Sequence, residues 1–524
     1  MTILDKMAKS AYTWNGAISY STTGFEKLGS CLDYWTKAGT YTGRPQEQVD
    51  ADMTRIFNDD PSVAMAIVFG LRLITRKPNV ENIDEAQTGY GRRDEFYKAL
   101  VWLSKNNPEL LYKNLPLIPI FGCWRDLVSN ALVDTLDRQR VYNLVANNLG
   151  DHLLRKYLPQ IRSQKQARTP RDVKRIQWAK GLCKFLGLNY KDYRKLKSEG
   201  EAHIWQKQMT AKQWDAINFN GIPGKAMLLH TSRKGKDKKT VFERHDQIER
   251  LKDWVLKQNK IKFTGYPYEL TRAASVTKHP SLIQKLIYNK QWEMMLEPMK
   301  DHKLGNVLCA IDTSGSMGWK ELLPNVRPID VCLSMGLAFS SLNVGQFKDA
   351  VVAFSNHSTL VKLNGEFVDK LHQIEEMETA MGSTNFQSVI DLLVRTRQEN
   401  PEIPLNEYPE TLLVVSDMAM NIAGDNTQTN YEVACKKLKG VGLGEMRIIW
   451  WYVNGQGKDF PAQMNDKGVY MIGGFDPVNL KALMGLTKEE FSDKKGERAE
   501  KKEQTPLDGM RNFLSQPIFG LISI

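Results

Sequence analysis

The stretch from Val307 to Gly318, VLCAIDTSGSMG, constrains the fold of this chain more than any other part of it. A run of apolar residues ends at Asp312, and Ser314 and Ser316 follow at alternate positions. An apolar run of this length is typical of a strand buried in a parallel sheet. One carboxylate and two hydroxyls are oxygen ligands of the kind that Mg²⁺ or Mn²⁺ prefers. The stretch therefore predicts a divalent-metal site at the carboxyl end of a buried strand.

Two later segments supply further residues for the same site. A glycine-led turn, Gly382 to Asn385, precedes an amphipathic helix, and a second apolar strand runs from Thr411 to Asp417. Loops at the carboxyl ends of neighbouring parallel strands converge at one edge of a sheet, where ligands bind. An Asp- and Ser-rich turn that caps a helix without any metal is the alternative. We expect the following residues to meet at one metal site: Asp312, Ser314, Ser316, Thr384 and Asp417.

These motifs, in this order, resemble the metal-ion-dependent adhesion site (MIDAS) of a von Willebrand factor A (vWA) domain. The resemblance implies that Asp312 and Asp417 hold the ion, Mg²⁺ or Mn²⁺, while the three hydroxyls complete its shell. It also implies an open coordination position that the carboxylate of a protein partner fills. We assign residues 301–524 to this domain, with a charged insertion at about 486–504.

The pattern of residues 303–484 agrees with an α/β doubly wound, Rossmann-like domain. Continuous apolar runs alternate with helical periods, which is typical of a parallel sheet covered on both faces. The apolar end of the chain, 518–524, is expected to pack on the core of this domain. Strands are predicted over 306–312, 350–355, 411–417, 446–453 and 468–472, and helices over 329–342, 385–397, 431–439 and 506–515.

Residues 1–300 show helical periods and few convincing strands. Helices stacked at this spacing predict an all-α domain of HEAT-like helical repeats, although the amino-acid sequence contains no clear repeat. The chain is therefore expected to be multidomain, with the α-helical domain first. Helices are predicted over 62–73, 93–103, 124–136, 141–154, 172–186, 192–209, 245–258 and 279–290.

The positive charge of the chain lies mostly in its middle third. The 524 residues include 72 Lys and Arg against 60 Asp and Glu, for a net charge of +12. Residues 1–150 have a net charge of 0, residues 151–300 of +19 and residues 301–524 of −7. Because Lys and Arg neutralise phosphates, this surplus predicts a polyanionic partner. Solvated helix faces that happen to be basic are the alternative.

Two groups of basic residues in this middle third are the candidate RNA contacts. Trp178 lies close to the first and could stack on a base, though a tryptophan at helical spacing is more often part of a core. Arg92, Arg93 and Arg125 each adjoin an acid, which favours structural ion pairs. The first group comprises Arg162, Lys165, Arg168, Arg171, Lys174 and Arg175, and the second comprises Arg233, Lys234, Lys236, Lys238 and Lys239.

Several short pieces of the N-terminal half resemble one family. They are WNGA at 14–17, GYGRRDEF at 89–96, IPIFGCWRDL at 118–127, YLP at 157–159 and YPYEL at 266–270. The first three, in this order, resemble the TROVE module of Ro-type RNA-binding proteins, in which a helical-repeat ring precedes a vWA domain. YLP and YPYEL match the pattern of an uncharacterised TROVE–vWA-like family, to which the chain is more similar still. The resemblance implies a ribonucleoprotein component whose ring binds structured RNA and single-stranded RNA ends.

Other functional classes have little support in the sequence. The six cysteines are scattered without a CxxC pair, which favours a reducing compartment. The first residues contain no apolar run typical of a signal peptide, and no run approaches the ~18 residues that a membrane helix needs. A P-loop, an HExxH motif and a GxSxG motif are all absent. We therefore expect an intracellular, cytoplasmic protein without a membrane partner or an enzymatic activity.

The sequence is compatible with three functions. The first is RNA binding by the helical domain, with a metal-dependent docking site on the vWA domain. The second is a non-enzymatic assembly or scaffold component that uses the metal site for protein–protein interaction without nucleic acid. The third, a metal-dependent nuclease or phosphatase, needs a positioned base that the motifs do not supply.

Overall fold

The computed structural model describes residues 11–129, 131–162, 169–200, 204–277, 279–300, 306–376, 382–485 and 504–524, without the side chains of Arg171 and Lys300. The chain forms two compact units. The sheet unit consists of Met1–Thr42 and Gln213–Phe513, and the helical unit consists of Gly43–Lys212 and Leu514–Ile524. Most of the charged stretch expected at 486–504 lies outside the described residues.

These units differ from the division at residue 300 that the sequence suggests. The helices Pro267–Val276 and Leu282–Lys300 contact each other, and both contact the helix Pro328–Leu342. They therefore belong to the sheet unit, although they precede the first strand of its sheet. Residue 300 lies just before the first strand of the six-stranded sheet, whereas the compact units are defined by the contacts between residues.

The helical unit is all-α in its described residues. Its core includes Phe69, Phe96 and Phe121, whose rings pack edge to face with centroids 4.9 to 5.8 Å apart. HEAT-like repeats and a ring remain predictions. Its helices are Gln46–Asp59, Pro61–Arg72, Arg93–Asn106, Pro108–Lys113, Leu117–Phe121, Trp124–Leu127, Arg138–Asn147, His152–Tyr157, Pro170–Phe185, Tyr190–Ser198 and Ile204–Thr210.

Three helices of this unit are shorter than the apolar periodicity predicts. The helix expected over 124–136 ends at Leu127. The one expected over 141–154 is divided, because Asp151 starts a new helix by accepting bonds from the backbone N–H groups of Leu153 and Leu154. The one expected over 192–209 is likewise two helices. Periodicity continues across such short breaks, so the pattern alone does not reveal them.

The end of the chain packs on the helical unit, and the prediction that it packs on the core of the sheet domain is wrong. The Phe519 ring lies 5.8 Å from the Phe121 ring, between centroids. The side-chain amide of Asn114 donates to the carbonyl of Ser523 at 2.7 Å. The apolar character of residues 518–524 indicates that they pack on a hydrophobic core, but it does not indicate which of the two units supplies that core.

The sheet unit is built around six strands. They are β3 (Val307–Asp312), β4 (Ala350–Phe354), β5 (Ser358–Lys362), β6 (Thr411–Ser416), β7 (Arg447–Tyr452) and β8 (Val469–Gly473), in the order β5-β4-β3-β6-β7-β8. All pairs are parallel except β4 with β5. The five predicted strands are confirmed to within two residues at each end. The edge strand β5 was not predicted, because its residues are largely exposed and carry no buried apolar run.

Helices cover both faces of this sheet. On one face, Ile311 packs so closely on the helix Pro328–Leu342 that a β-carbon at Gly336 would lie 2.6 Å from its side chain. On the other face, the helices Gln387–Glu399 and Asn430–Gly440 pack against Leu308, Val414 and Trp450. The other helices of the unit are Gly29–Ala38, Gly224–Ser232, Val241–Arg244, Ile248–Lys257, Ser316–Trp319, Phe367–Glu376, Asn479–Leu483 and Pro506–Leu514.

The N-terminal segment belongs to the sheet unit rather than to the helical unit. A short hairpin of β1 (Ala11–Tyr12) and β2 (Ile18–Ser19) leads into the nearly fully buried helix Gly29–Ala38. The ammonium of Lys37 donates to the carbonyls of Gly457 and Asp459, each at 2.8 Å, and lies 3.7 Å from the centre of the Phe460 ring. Contacts between residues more than 400 positions apart therefore hold this segment in place.

Within the described residues, no helix has both the length and the apolar character needed to cross a membrane.

Candidate metal site and candidate nucleic-acid interface

The strands β3 and β6 place the first two predicted ligands side by side. The sheet begins at its centre with β3, extends outward to β4 and β5, and returns to β6 on the other side of β3. A reversal of strand order of this kind opens a crevice at the carboxyl ends of the two central strands. Asp312 is the last residue of β3, and Asp417 directly follows β6. Both predicted metal-binding acids therefore lie at this switch point.

Asp312 is fully buried and held by hydrogen bonds on both carboxylate oxygens. Its Oδ1 accepts the backbone N–H of Ser314 at 2.9 Å. Its Oδ2 accepts the hydroxyl of Ser416 at 2.5 Å. Because two donors fix the carboxylate, its orientation is set before any ligand binds.

The three hydroxyls of the predicted site form a continuous chain beside Asp312. Ser314 Oγ lies 3.2 Å from Ser316 Oγ, and Thr384 Oγ1 donates to Ser314 Oγ at 2.9 Å. Ser316 also hydrogen-bonds to the carboxylate of Asp417. All five residues predicted from the sequence therefore meet, although 105 positions separate the first from the last.

Two asparagines hold the turn that carries Thr384. The Asn421 side chain accepts the backbone N–H of Thr384 at 3.1 Å and donates to Ser383 Oγ at 2.7 Å. Asn356 accepts the backbone N–H of Ser383 at 2.9 Å, and a β-carbon at Gly382 would lie 2.8 Å from its side chain. Sequence reasoning missed Asn356, Asn421 and Ser416. Asn356 lies just after β4, Asn421 lies after β6, and Ser416 is the last residue of β6. These positions at strand ends were the available signal.

The N-terminal hairpin holds the loop that follows Asp417. Asn15 Nδ2 donates to the carbonyl of Ala419 at 2.5 Å and to Asn421 Oδ1 at 3.0 Å. Thr13 Oγ1 donates to the carbonyl of Met420 at 2.5 Å. Met418 in this loop has a φ of +65°, a left-handed conformation that is uncommon for a residue other than glycine. Contacts with the hairpin stabilise this unusual loop, and the hairpin is therefore part of the site.

The electrostatics of the cluster favour a bound cation. Burial, together with the charge of Asp417, raises the pKa of Asp312 to about 7. Burial also raises the pKa of Asp417. Two buried carboxylates close to each other repel, and a divalent cation between them removes the repulsion. The donor set of two carboxylates and three hydroxyls consists entirely of oxygen, which fits Mg²⁺ or Mn²⁺.

This set differs from metal sites rich in histidine, cysteine or acids. In the part of the chain that the structure describes, no three or more such side chains are grouped to hold a metal ion. The candidate site relies on hydroxyls for three of its five donors, so it is not a site of that class.

A groove of about 720 Å³ adjoins the cluster at Thr313, Ser314 and Gly315. Its walls come from the helices Pro267–Val276 and Pro328–Leu342 and from Trp319. The Trp319 side chain is 86% exposed and the Val276 side chain 78% exposed. Arg272 and Arg327 also line the groove, and Arg327 pairs with Asp330 at 3.2 Å. The groove thus offers apolar surface and two arginines, together with the acids Glu321, Asp330 and Glu375, directly beside the candidate metal ligands.

The first predicted group of RNA-binding residues is divided in the structure. Arg162 and Arg175 line one cavity of about 400 Å³ in the helical unit. Lys174 instead pairs with Asp134 at 2.5 Å. Lys165 and Arg168 lie outside the described residues, as does the side chain of Arg171.

Three cations of this cavity were not predicted as RNA contacts. They are Arg125, Lys156 and Lys197, which belong to three different helices. The pKa of Lys197 is lowered by burial and by the nearby charges of Arg175 and Arg162. Up to 72 positions separate these residues along the chain, so the amino-acid sequence shows no cluster.

The second predicted group lies in the sheet unit, on an exposed turn. Asp237 stabilises this turn by accepting two bonds from the Arg244 guanidinium, at 2.7 and 2.8 Å. Lys238 and Lys239 share their surroundings with acids, among them Glu243 and Asp246. Arg233, Lys234, Lys236, Lys238 and Lys239 are therefore exposed on a turn whose local charge is mixed.

The structure answers the question for Trp178 and for Arg93. Trp178 is 1% exposed and packs against the Tyr142 ring, so it is a core residue. Arg93 lies 3.7 Å from the carboxylate of Asp126, in agreement with a structural ion pair. The strongest ion pair to that carboxylate comes from Arg72, at 2.8 Å. Arg125 lines the basic cavity of the helical unit.

The six cysteines are free thiols, and Cys309 and Cys332 are buried.

Comparisons with known proteins complete the description. Residues 306–514, less than half of the chain, match a family described as "Domain of unknown function (DUF7788)". No curated protein matches the chain. Among solved structures, the chain is similar to the Ro (RSR) protein of Deinococcus radiodurans, with 13% sequence identity and a TM-score of 0.42 over 83% of this chain and 91% of that one.

Proposed function

We propose that this protein binds RNA through its helical unit and holds a divalent cation at the end of β3, where a protein partner docks. The distribution of charge supports the RNA-binding part. Gly43–Lys212 contains 29 Lys and Arg against 19 Asp and Glu, and Leu514–Ile524 contains none. The helical unit therefore has a net charge of +10 out of +12 for the chain. A phosphate backbone is the common ligand of such a unit.

The basic side chains of the helical unit would bind phosphates without reading bases. Lys and Arg release counterions when they neutralise phosphates, so the affinity should fall steeply as the salt concentration rises. Trp178 is buried and would not stack on a base. The binding is therefore expected to tolerate changes in RNA sequence.

The metal-binding part rests on the convergence of five oxygen donors. Asp312 and Asp417 would hold Mg²⁺ or Mn²⁺, and Ser314, Ser316 and Thr384 would complete the shell. When bound, the ion would supply an open coordination position for a carboxylate. This is the arrangement of a vWA-type MIDAS, which the sequence motifs resemble and which the reversal of strand order supports.

The groove beside the cluster supports protein docking as the use of that ion. A partner that places an acidic side chain on the metal would lie along Trp319 and Val276, and its remaining surface would meet Arg272. Exposed aromatic residues and arginines are common anchors of protein interfaces. The structure offers both within one groove.

We propose no enzymatic role. Hydrolysis at a metal site requires a base that activates water. In the proposed arrangement both carboxylates of the cluster are metal ligands, and its other three members are hydroxyls. The cluster itself therefore contributes no base.

The ultraviolet absorbance ratio of the purified full chain, before and after ribonuclease digestion and across a salt series, tests the RNA-binding part. We expect ribonuclease-sensitive material that is released as salt rises. Asp312→Ala should carry the same material, because it alters the sheet unit alone. A protein that purifies without nucleic acid and does not bind added RNA at low salt would contradict RNA binding and favour the assembly component.

A further inference from the structure

The cavity in the helical unit concentrates positive charge to an unusual degree. Five of the residues that line it are basic: Arg125, Lys156, Arg162, Arg175 and Lys197. Among its described lining residues, Asp172 is the single acid. The Asp172 carboxylate also accepts the backbone N–H of Thr169 at 3.1 Å, as part of a helix cap. Part of its hydrogen-bonding capacity is therefore used within its own helix.

Two of the cations of this cavity donate hydrogen bonds to neutral groups. Arg162 Nε donates to the neutral side chain of Gln160 at 2.8 Å, and Lys197 Nζ donates to the carbonyl of Lys156, also at 2.8 Å. Arg175 Nε is buried without a hydrogen-bond acceptor in the described part of the chain. A buried guanidinium N–H without an acceptor costs free energy, and a bound anion would relieve that cost.

Like charges held together in this way destabilise the folded protein. The lowered pKa of Lys197, caused by burial and then by Arg175 and Arg162, reflects that repulsion. The repulsion lowers the free energy of unfolding. A ligand that binds only the folded state raises the free energy of unfolding again, so an anion bound here would offset the repulsion. The geometry thus indicates an anionic ligand.

The lining residues identify the chemistry of that ligand. Two of the lining cations, Arg162 and Arg175, are arginines, whose planar guanidinium groups match the oxygens of a phosphate group with two parallel hydrogen bonds. A cavity of about 400 Å³ falls within the size range of pockets for small ligands, about 300–1,000 Å³. Tyr157 also lines the cavity, with the Lys156 ammonium 5.7 Å from the centre of its ring.

We propose that this cavity is a binding site for a phosphate group, and that Arg162, Arg175 and Lys197 are its principal ligands. Given the proposed function, on which this step rests, the phosphate belongs to an RNA strand. A phosphate of a small phosphorylated molecule would meet the same chemistry, and the experiment below separates the two sources.

The test uses the full chain and two probes. Calorimetric titration measures the affinity for inorganic phosphate at constant ionic strength, and fluorescence anisotropy measures the affinity for a labelled single-stranded RNA of mixed sequence. The variants are Arg162→Gln and Arg175→Gln. Lys174→Gln is the matched control, because it removes the same charge from the neighbouring position, where the side chain pairs with Asp134.

We expect both variants to bind phosphate at least about tenfold more weakly than the control, since each loses charge-assisted hydrogen bonds. They should also bind RNA more weakly than the control. Arg162 is exposed, so its variant keeps the test valid if Arg175→Gln fails to fold.

Two other outcomes are informative. If the wild type binds RNA and both variants match Lys174→Gln for both probes, the phosphate site is overturned while RNA binding stands. If phosphate binds at the cavity but no form binds RNA, the site is supported, RNA binding is contradicted, and a small phosphorylated molecule becomes the ligand.

Discussion

Asn15 donates from its side-chain amide to Asn421 Oδ1 at 3.0 Å, across 406 positions of sequence. The same Asn421 oxygen accepts the backbone N–H of Thr384, and Asn421 directly follows the loop from Asp417 to Met420. One side chain near the start of the chain therefore supports both loops that bring Thr384 and Asp417 to Asp312. The candidate metal site is therefore supported by a segment that lies far outside the residues matched by the domain family.

This relationship predicts that Asn15→Ala weakens metal binding without removing a ligand. The support around metal ligands typically contributes about tenfold to a hundredfold in affinity, and we expect a loss of about tenfold. Calorimetric titration with Mn²⁺ measures it. Asn364→Ala, an exposed asparagine of the same unit, is the control and should bind Mn²⁺ as the wild type does. Equal affinities for the two variants would show that the hairpin does not position the site.

A second prediction concerns the core of the helical unit. The buried Asp126 carboxylate accepts Arg72 Nε at 2.8 Å, Tyr97 Oη at 2.6 Å and the backbone N–H of Cys123 at 2.8 Å. Asp126→Ala leaves the Arg72 guanidinium buried without its partner, at a cost of about 3–5 kcal/mol in the free energy of unfolding. Urea denaturation monitored by circular dichroism measures this loss.

Asp134→Ala provides the comparison for that measurement. It breaks the exposed ion pair with Lys174, and exposed pairs contribute about 0–1 kcal/mol. A similar small loss for Asp126→Ala would mean that the buried carboxylate does not organise this unit.

A third prediction follows from the pKa of Asp459 in the sheet unit. Burial raises the pKa of this carboxyl, while Lys37 and a hydrogen bond from Ser19 oppose the shift. A raised pKa means that the folded state binds the proton more tightly than the unfolded state does. The stability that protonation contributes is therefore complete below about pH 3.9, the ordinary value, and is lost as the pH rises through the folded-state pKa.

Asp459→Asn should remove this part of the pH dependence. We expect its unfolding free energy, measured in chelator, to fall less steeply than that of the wild type as the pH rises above about 4. Asp425→Asn is the contrast, because a hydrogen bond from Thr427 lowers the pKa of that exposed carboxyl. The pH dependence of its unfolding free energy should differ from that of the wild type only below about pH 4. Parallel curves for the wild type and Asp459→Asn above pH 4 would contradict the shift.

The sequence was most informative where a continuous apolar run ends in a polar residue. Such runs predicted β3 and β6, and with them the positions of Asp312 and Asp417. The edge strand β5 was not predicted, because an exposed strand has no continuous run of apolar residues. The turn with Thr384 was predicted from its glycine, but its asparagine supports were not, because a hydrogen bond between loops leaves no periodic pattern.

Long-range packing accounts for the rest of what the sequence did not reveal. The helix Gly29–Ala38 and the C-terminal residues bury apolar surface, yet the sequence pattern does not say against which unit. The phosphate cavity has the same origin. Arg125, Lys156 and Lys197 come together because their helices pack, whereas Lys174, which adjoins Arg175 in sequence, faces Asp134.

The most direct test of the account is the binding of Mn²⁺ to the full chain, measured by electron paramagnetic resonance for the wild type and for Asp312→Ala. Asp391→Ala, which removes an exposed acid paired with Lys437, is the control. We predict that the wild type and the control bind one class of Mn²⁺ that Mg²⁺ displaces. Asp312→Ala should lose this binding while its helical unit stays folded. Unchanged Mn²⁺ affinity in folded Asp312→Ala would contradict a metal site at the end of β3.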